Sequence, residues 1–137
     1  MIIDTYSKTL KFNSSLEHIN TVDILIDEIL VVHNICKEKH EANIKTALTE
    51  AVTNAVVHGN KNDLQKTITL IYKINPTELI FKIQDEGNGF NPDLIPDPTL
   101  PENLEKISGR GVFIIKHLCS DYCYSDEGKT LELTFNI

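Results

Sequence analysis

EAVTNAVVHGNKND, residues 50 to 63, decides the fold because it carries two patterns at once. With the residues before it, it supplies an apolar stripe, Ile44, Ala47, Leu48, Ala51, Val52 and Ala55, at the three- and four-residue spacing of a helix that buries one face. The spacing predicts a helix from about Ala42 to His58, stopped by Gly59 with Asn60 and Asn62 close behind. Along the border of that stripe run Glu50, Asn54 and His58, each four residues from the last. A carboxylate, an amide and an imidazole are therefore expected at the edge of a core, either as solvated flank residues or facing a cleft. An amide oxygen is a hard ligand for magnesium, and a partly desolvated carboxylate can take a proton from a hydroxyl.

Working towards the N-terminus, DTYSKTLKF (4 to 12) mixes polar and apolar residues as an edge strand does. SSLE follows and reads as a capping box, with Ser14 accepting from the amide of Glu17. Leu16, Ile19, Val22, Leu25, Ile26, Ile29 and Val32 then give an amphipathic helix to about Cys36, and the charged run KEKHE is read as the connection to the next helix. Working towards the C-terminus, TITLIYKI (67 to 74) and ELIFKIQD (78 to 85) alternate as strands, joined by NPTE as a hairpin. The stretch from Gly87 to Gly111 contains Pro92, Pro96, Pro98 and Pro101 and reads as a long loop, of the length that usually serves function. GVFIIKHLC (111 to 119) resumes a helical stripe, and the end reads as a hairpin turning at Glu127 and Gly128. The sum is α+β: a two-layer sandwich with about three helices on a mixed, mainly antiparallel sheet, expected to form a single domain over 1–137.

Composition narrows the class. The chain has 137 residues, a hydrophobic share of 41%, a charged share of 24% and a net charge of −7, with a pI near 5.1 and a mean hydropathy of −0.15. These values suit a globular domain, and the acidic surface opposes broad contact with a nucleic-acid backbone. No signal peptide and no run long enough to span a membrane is apparent, so the expected location is cytoplasmic. Cys36, Cys119 and Cys123 match no disulfide or zinc spacing and read as free thiols.

Two further motifs complete the pattern. DEGNGF (85 to 90) places Asp85 at the end of a strand, with Gly87 and Gly89 allowing backbone geometry or close ligand approach that a Cβ would block. SGRGVF (108 to 113) sets a glycine pair around Arg110, the only arginine in the chain, where a helix is expected to open and its free amides suit a phosphate. Each motif alone is equally an ordinary turn or a solvated charge. Their order along the chain is more specific.

Taken together, ExxxNxxxH on a helix, DxGxG after a strand, a long loop and GxG before a helix resemble the Bergerat-type ATP-binding fold shared by gyrase, histidine kinases, MutL and the Hsp90 chaperones. The similarity is strongest to the anti-sigma-factor serine/threonine kinases. Val57 stands where histidine-kinase modules usually carry a basic residue, and 137 residues leave no room for a phosphoacceptor domain. The resemblance implies that Asn54 binds Mg²⁺, Glu50 is the general base and Asp85 accepts from the adenine amino group. Gly87 and Gly89 would line the nucleotide, residues 90 to 108 would form an ATP lid, and Gly109 and Gly111 would bring amides to the phosphates. Arg110 would lie near the triphosphate or the protein substrate, stabilising charge on the transferred group.

The implied activity is Mg-ATP-dependent phosphorylation of a serine or threonine on a STAS-type antagonist, with a sigma factor competing for the same surface. The alternative is a module that binds ATP and sequesters a partner without chemistry. Capping or packing is expected of His58 rather than chemistry. A homodimer stays open, since the N-terminal edge strand can pair across a two-fold and members of the family are often dimers.

Overall fold

A computed structural model describes residues 6–88 and 107–137, with residues 107–112 described by backbone alone. Gly89 and the stretch expected to form a lid up to residue 106 lie outside the described residues.

The chain opens with an edge strand, β1 (Tyr6–Asn13), and a 3-10 turn, Leu16–His18. It is Ser15, not Ser14, that caps this turn, accepting from the amide of Glu17 at 3.3 Å. Ser14 is buried, its own amide bonded to the carbonyl of Lys66. The ladder end thus claims Ser14 and leaves the next residue to cap.

Helix α1 (Ile19–Val32) ends four residues before the expected Cys36. Asn34 takes a left-handed φ of 55°, and the amide of Ile35 reaches back to the carbonyl of Leu30 at 2.9 Å. This is a Schellman stop. Helix α2 (Lys37–Asn54) starts five residues earlier than expected, so KEKHE is its first turn rather than a linker. Long charged side chains are good helix formers, and Glu41 pairs with Lys45 one turn on at 3.0 Å. Beyond Asn54 the helix widens into a π turn, Ala55–Gly59.

Strands β2 (Thr67–Ile74) and β3 (Glu78–Gln84) form the expected hairpin. Helix α3 (Ile107–Leu118) begins at least four residues before the expected Gly111, placing the glycine pair within its first turns instead of ahead of them. A mid-helix glycine costs up to about 1 kcal/mol. Burial of Ile115 and packing of Leu118 on the core outweigh it. β4 (Asp121–Ser125) and β5 (Thr130–Asn136) close the chain, joined at 126–128, where Asp126, Glu127 and Gly128 all have positive φ.

The sheet order is β1-β2-β3-β5-β4, and every pairing among the described residues is antiparallel. The expected mixed sheet is corrected accordingly. β4 does run in the direction of β3, as a return through α3 requires, but β5 inserts between them. One face of the sheet, Ile68, Leu70, Tyr72, Leu79, Phe81, Ile83, Leu131, Leu133 and Phe135, is buried against the helices. Alternation along β2 and β3 leaves their other face half-buried or exposed among the described residues. The stripe on α2 is the helical half of this core: Ile44, Ala47, Leu48 and Val52 are all fully buried. α2 packs between α1 and α3, so the helix bearing the polar border is the best-anchored element of its layer.

Lys45 fastens α2 to α1. Its Nζ lies 2.8 Å from Asp27, 3.0 Å from Glu41 and 3.6 Å from Asp23. The Asp27 and Glu41 carboxylates, the largest influences, raise its pKa.

Candidate nucleotide site

Glu50 and Asn54 lie one turn apart on α2, both half-buried. The expected third member, His58, lies beyond a change of helix type. A π turn advances less per residue than an α turn, and it intervenes between Asn54 and His58. The Asn60 amide closes it on the carbonyl of Ala55 at 2.8 Å. His58 is exposed, in the last turn. Of the capping or packing expected for it, the packing is not observed; it stands at the negative end of the helix dipole.

The same π turn delivers Gly59 against the segment after β3. A Cβ on Gly59 would lie 2.5 Å from the carboxyl carbon of Asp85, and a Cβ on Gly87 would lie 2.5 Å from the carbonyl carbon of Gly59. Neither contact leaves room for a side chain. The glycine in HG and the glycine in DEG thus answer to each other. Close approach at Gly87 was expected of a ligand; the approach observed is that of α2.

Asp85 extends the sheet by one bond, its amide donating to the carbonyl of Lys129 at 2.9 Å. Its Oδ1 accepts from the amide of Gly87 at 2.8 Å. Burial raises the pKa of the carboxyl, and the Gly87 amide, Lys129 and Lys66 oppose that shift. A half-buried carboxylate with one oxygen held by its own loop keeps accepting capacity on the other.

Around this box lies a closed set of polar bonds that was not foreseen. Thr67, the first residue of β2, donates its amide and hydroxyl to the Glu86 carboxylate, the hydroxyl at 2.7 Å. These two bonds lower the pKa of Glu86. Asn60, anticipated only as part of a helix stop, is completely buried. Its side chain bonds both the Glu86 amide and the Thr67 carbonyl. In sequence, an asparagine after a glycine reads as turn chemistry, and no local signal separates the two roles.

The remaining expected residues fall on α3. Gly109, Arg110 and Gly111 are helical, and the Arg110 side chain lies outside what is described. α3 packs against α2, so its N-terminal end and the Glu50–Asn54 turn belong to one layer. Among the described residues no group of three or more His, Cys, Asp and Glu could cage a metal. The side-chain oxygen of half-buried Asn54 is a hard donor of the kind a magnesium ion takes.

The pattern common to histidine kinase-like ATPase domains matches residues 12–135. The chain belongs to that family. Among curated relatives, the serine-protein kinase RsbW of Listeria innocua is 32% identical over 99 residues, 67% of this chain and 63% of that protein. The anti-sigma F factor of Shouchella clausii is 37% identical over 81 residues, 57% of this chain and 55% of that protein. The anti-sigma F factor of Bacillus licheniformis is 35% identical over 98 residues, 66% of each. The chain thus spans little more than half to two thirds of these relatives.

A crystal structure of the RsbU and RsbW domains of a Mycobacterium tuberculosis protein superposes with a TM-score of 0.64 at 17% identity. It covers 96% of this chain and 32% of that one, and it supports the α+β ATPase fold. Among the described residues no helix is long and apolar enough to cross a membrane.

Proposed function

We propose that this chain is an ATP-dependent serine/threonine protein kinase that acts as an anti-sigma factor and phosphorylates a STAS-type antagonist protein. The observation that carries the reading is the contact of Gly59 with Asp85. It sets the proposed base-binding carboxylate at the end of the helix that also bears Glu50 and Asn54. From Glu50 to Gly59 that helix, π turn included, rises somewhat under about 13 Å, the length scale of a nucleoside triphosphate. Base, metal-bound phosphates and acceptor hydroxyl would then follow one another along α2. The names of the relatives, serine-protein kinase and anti-sigma factor, support the same reading.

In this reading Asp85 accepts from the adenine amino group, and Gly87 and Gly89 border the nucleotide. Asn54 would hold Mg²⁺, which supplies charge neutralisation on the phosphates when bound. Glu50 orients the substrate hydroxyl and takes its proton as the oxygen attacks. Gly109 and Gly111 bring amides of α3 to the phosphates, with Arg110 and the stretch to residue 108 covering them. Phosphoryl transfer asks little more of a protein than such positioning and charge stabilisation.

Labelled ATP, Mg²⁺ and a purified bacterial STAS-domain antagonist test the proposal. Label should pass to the antagonist. Glu50→Gln should abolish transfer with ATP binding retained, because an amide cannot take the proton. Tight ATP binding by the wild type without transfer to any serine or threonine would overturn the kinase reading.

A further inference from the structure

Asn60 uses its buried amide group in both directions. Its Oδ1 accepts from the amide of Glu86 at 2.7 Å, and its Nδ2 donates to the carbonyl of Thr67 at 3.0 Å. Its own backbone closes the π turn, and its carbonyl accepts from the amide of Asp63 at 3.1 Å. One residue, 0% exposed, therefore joins the end of α2, the start of β2 and the segment that follows β3.

The bond to Glu86 has a particular consequence. The amide of Glu86 belongs to the peptide plane shared with Asp85, so holding it fixes the backbone torsion that aims the Asp85 side chain. Gly87, which bonds that carboxylate, follows on the same segment. The Glu86 carboxylate accepts from the amide and hydroxyl of Thr67, so Asn60, Thr67 and Glu86 close a ring. An unmade bond in such a ring leaves the partly buried Glu86 amide unpaired, a heavier loss than the bond itself contributes.

We propose that Asn60 is a positioning residue for base recognition, holding the Asp85–Glu86 peptide so that the Asp85 carboxylate meets an adenine amino group. The inference rests on the nucleotide-binding reading given above. It concerns affinity and base preference, and leaves the proton-transfer chemistry at Glu50 alone.

The test compares wild type, Asn60→Ala, the milder Asn60→Ser and a control, Lys45→Met, that loosens the α1–α2 contact far from the base. Binding of ATP and GTP, transfer kinetics and exchange of the Glu86 amide are measured on each. Asn60→Ala should raise the KM for ATP about tenfold, the scale of one lost buried hydrogen bond to a binding group, with kcat at saturation unchanged. Its preference for ATP over GTP should shrink, and Asn60→Ser, which can keep one bond, should fall between.

Lys45→Met should lose stability and keep both affinity and preference. Unchanged affinity and preference in folded Asn60→Ala or Asn60→Ser would overturn the proposal, as would an equal loss in Lys45→Met. A wild type that binds no ATP would overturn the nucleotide-binding reading itself. The exchange measurement stands apart from it: a Glu86 amide protected in wild type should exchange freely in Asn60→Ala, and undiminished protection would show that Asn60 positions nothing.

Discussion

The carbonyl of Gly59 lies where a side chain on Gly87 would begin, its carbon 2.5 Å from the position a Cβ would take. Two glycines from motifs 28 positions apart in number are thus pressed together, and the obstacle each presents is different. Gly87 faces backbone, which cannot swing aside. Gly87→Ala should therefore destabilise the fold by about 1–3 kcal/mol, as overpacking does, and weaken ATP binding. Gly59→Ala meets the Asp85 carboxyl group, a side chain that can turn, so it should be milder in urea unfolding yet still impair nucleotide binding. Wild-type stability and affinity in Gly87→Ala would show that the contact is not needed.

Asp85 ties stability and binding to pH with opposite signs. Burial raises its carboxyl pKa above 3.8 in the folded chain. Below pH 3.8 both folded and unfolded chains are protonated and there is no penalty. As pH rises through the window up to the folded pKa, the unfolded chain ionises first and stability is lost. Asp85→Asn should thus melt higher than wild type at pH 7, with the gap closing near pH 3.5. ATP binding should go the other way, falling in the wild type as the carboxylate is protonated and being weak in Asp85→Asn at any pH. Thermal melts and binding titrations across pH 3.5–8 read both.

Lys45 holds three carboxylates across α1 and α2 at 2.8 to 3.6 Å. Lys45→Met keeps the aliphatic stem and leaves Asp23, Asp27 and Glu41 to repel one another. A loss of about 1 kcal/mol is expected, the scale of a networked ion pair near the surface, and the gap to wild type should shrink in high salt. A salt-independent difference would point to packing of the stem.

Leu48 is fully buried beneath the turn that carries Glu50. Leu48→Ala should cost about 3 kcal/mol in urea unfolding, the transfer loss plus a residual cavity. Under 1 kcal/mol would mean that α2 is not seated as described.

Much of this architecture is legible along the chain. Strands at 67–74 and 78–84 and the turn at Glu127 and Gly128 follow from alternation and punctuation, which are local signals. The α2 stripe is equally direct: every residue read as apolar in it is buried. Boundaries were misread where a charged run is also a good helix, as at Lys37–Glu41, or where glycines sit inside one, as on α3. A mainly antiparallel sheet is legible in the sequence, but the place of β5 between β3 and β4 is not, because it depends on pairing partners that periodicity cannot name.

The residues of EAVTNAVVHGNKND divide along the same line. Periodicity within one helix determined that Glu50 and Asn54 share a border beside the core, since 3.6 residues per turn is a property of the backbone alone. Tertiary structure decided the rest: the exposure of His58 in a π turn, the seat of Gly59 on Asp85 and Gly87, and the burial of Asn60 between β2 and the segment after β3. The contacts of Gly59 with Asp85 and Gly87 and of Asn60 with Glu86 join residues more than twenty positions apart, and only the packing of α2 on the sheet brings them within reach of one another.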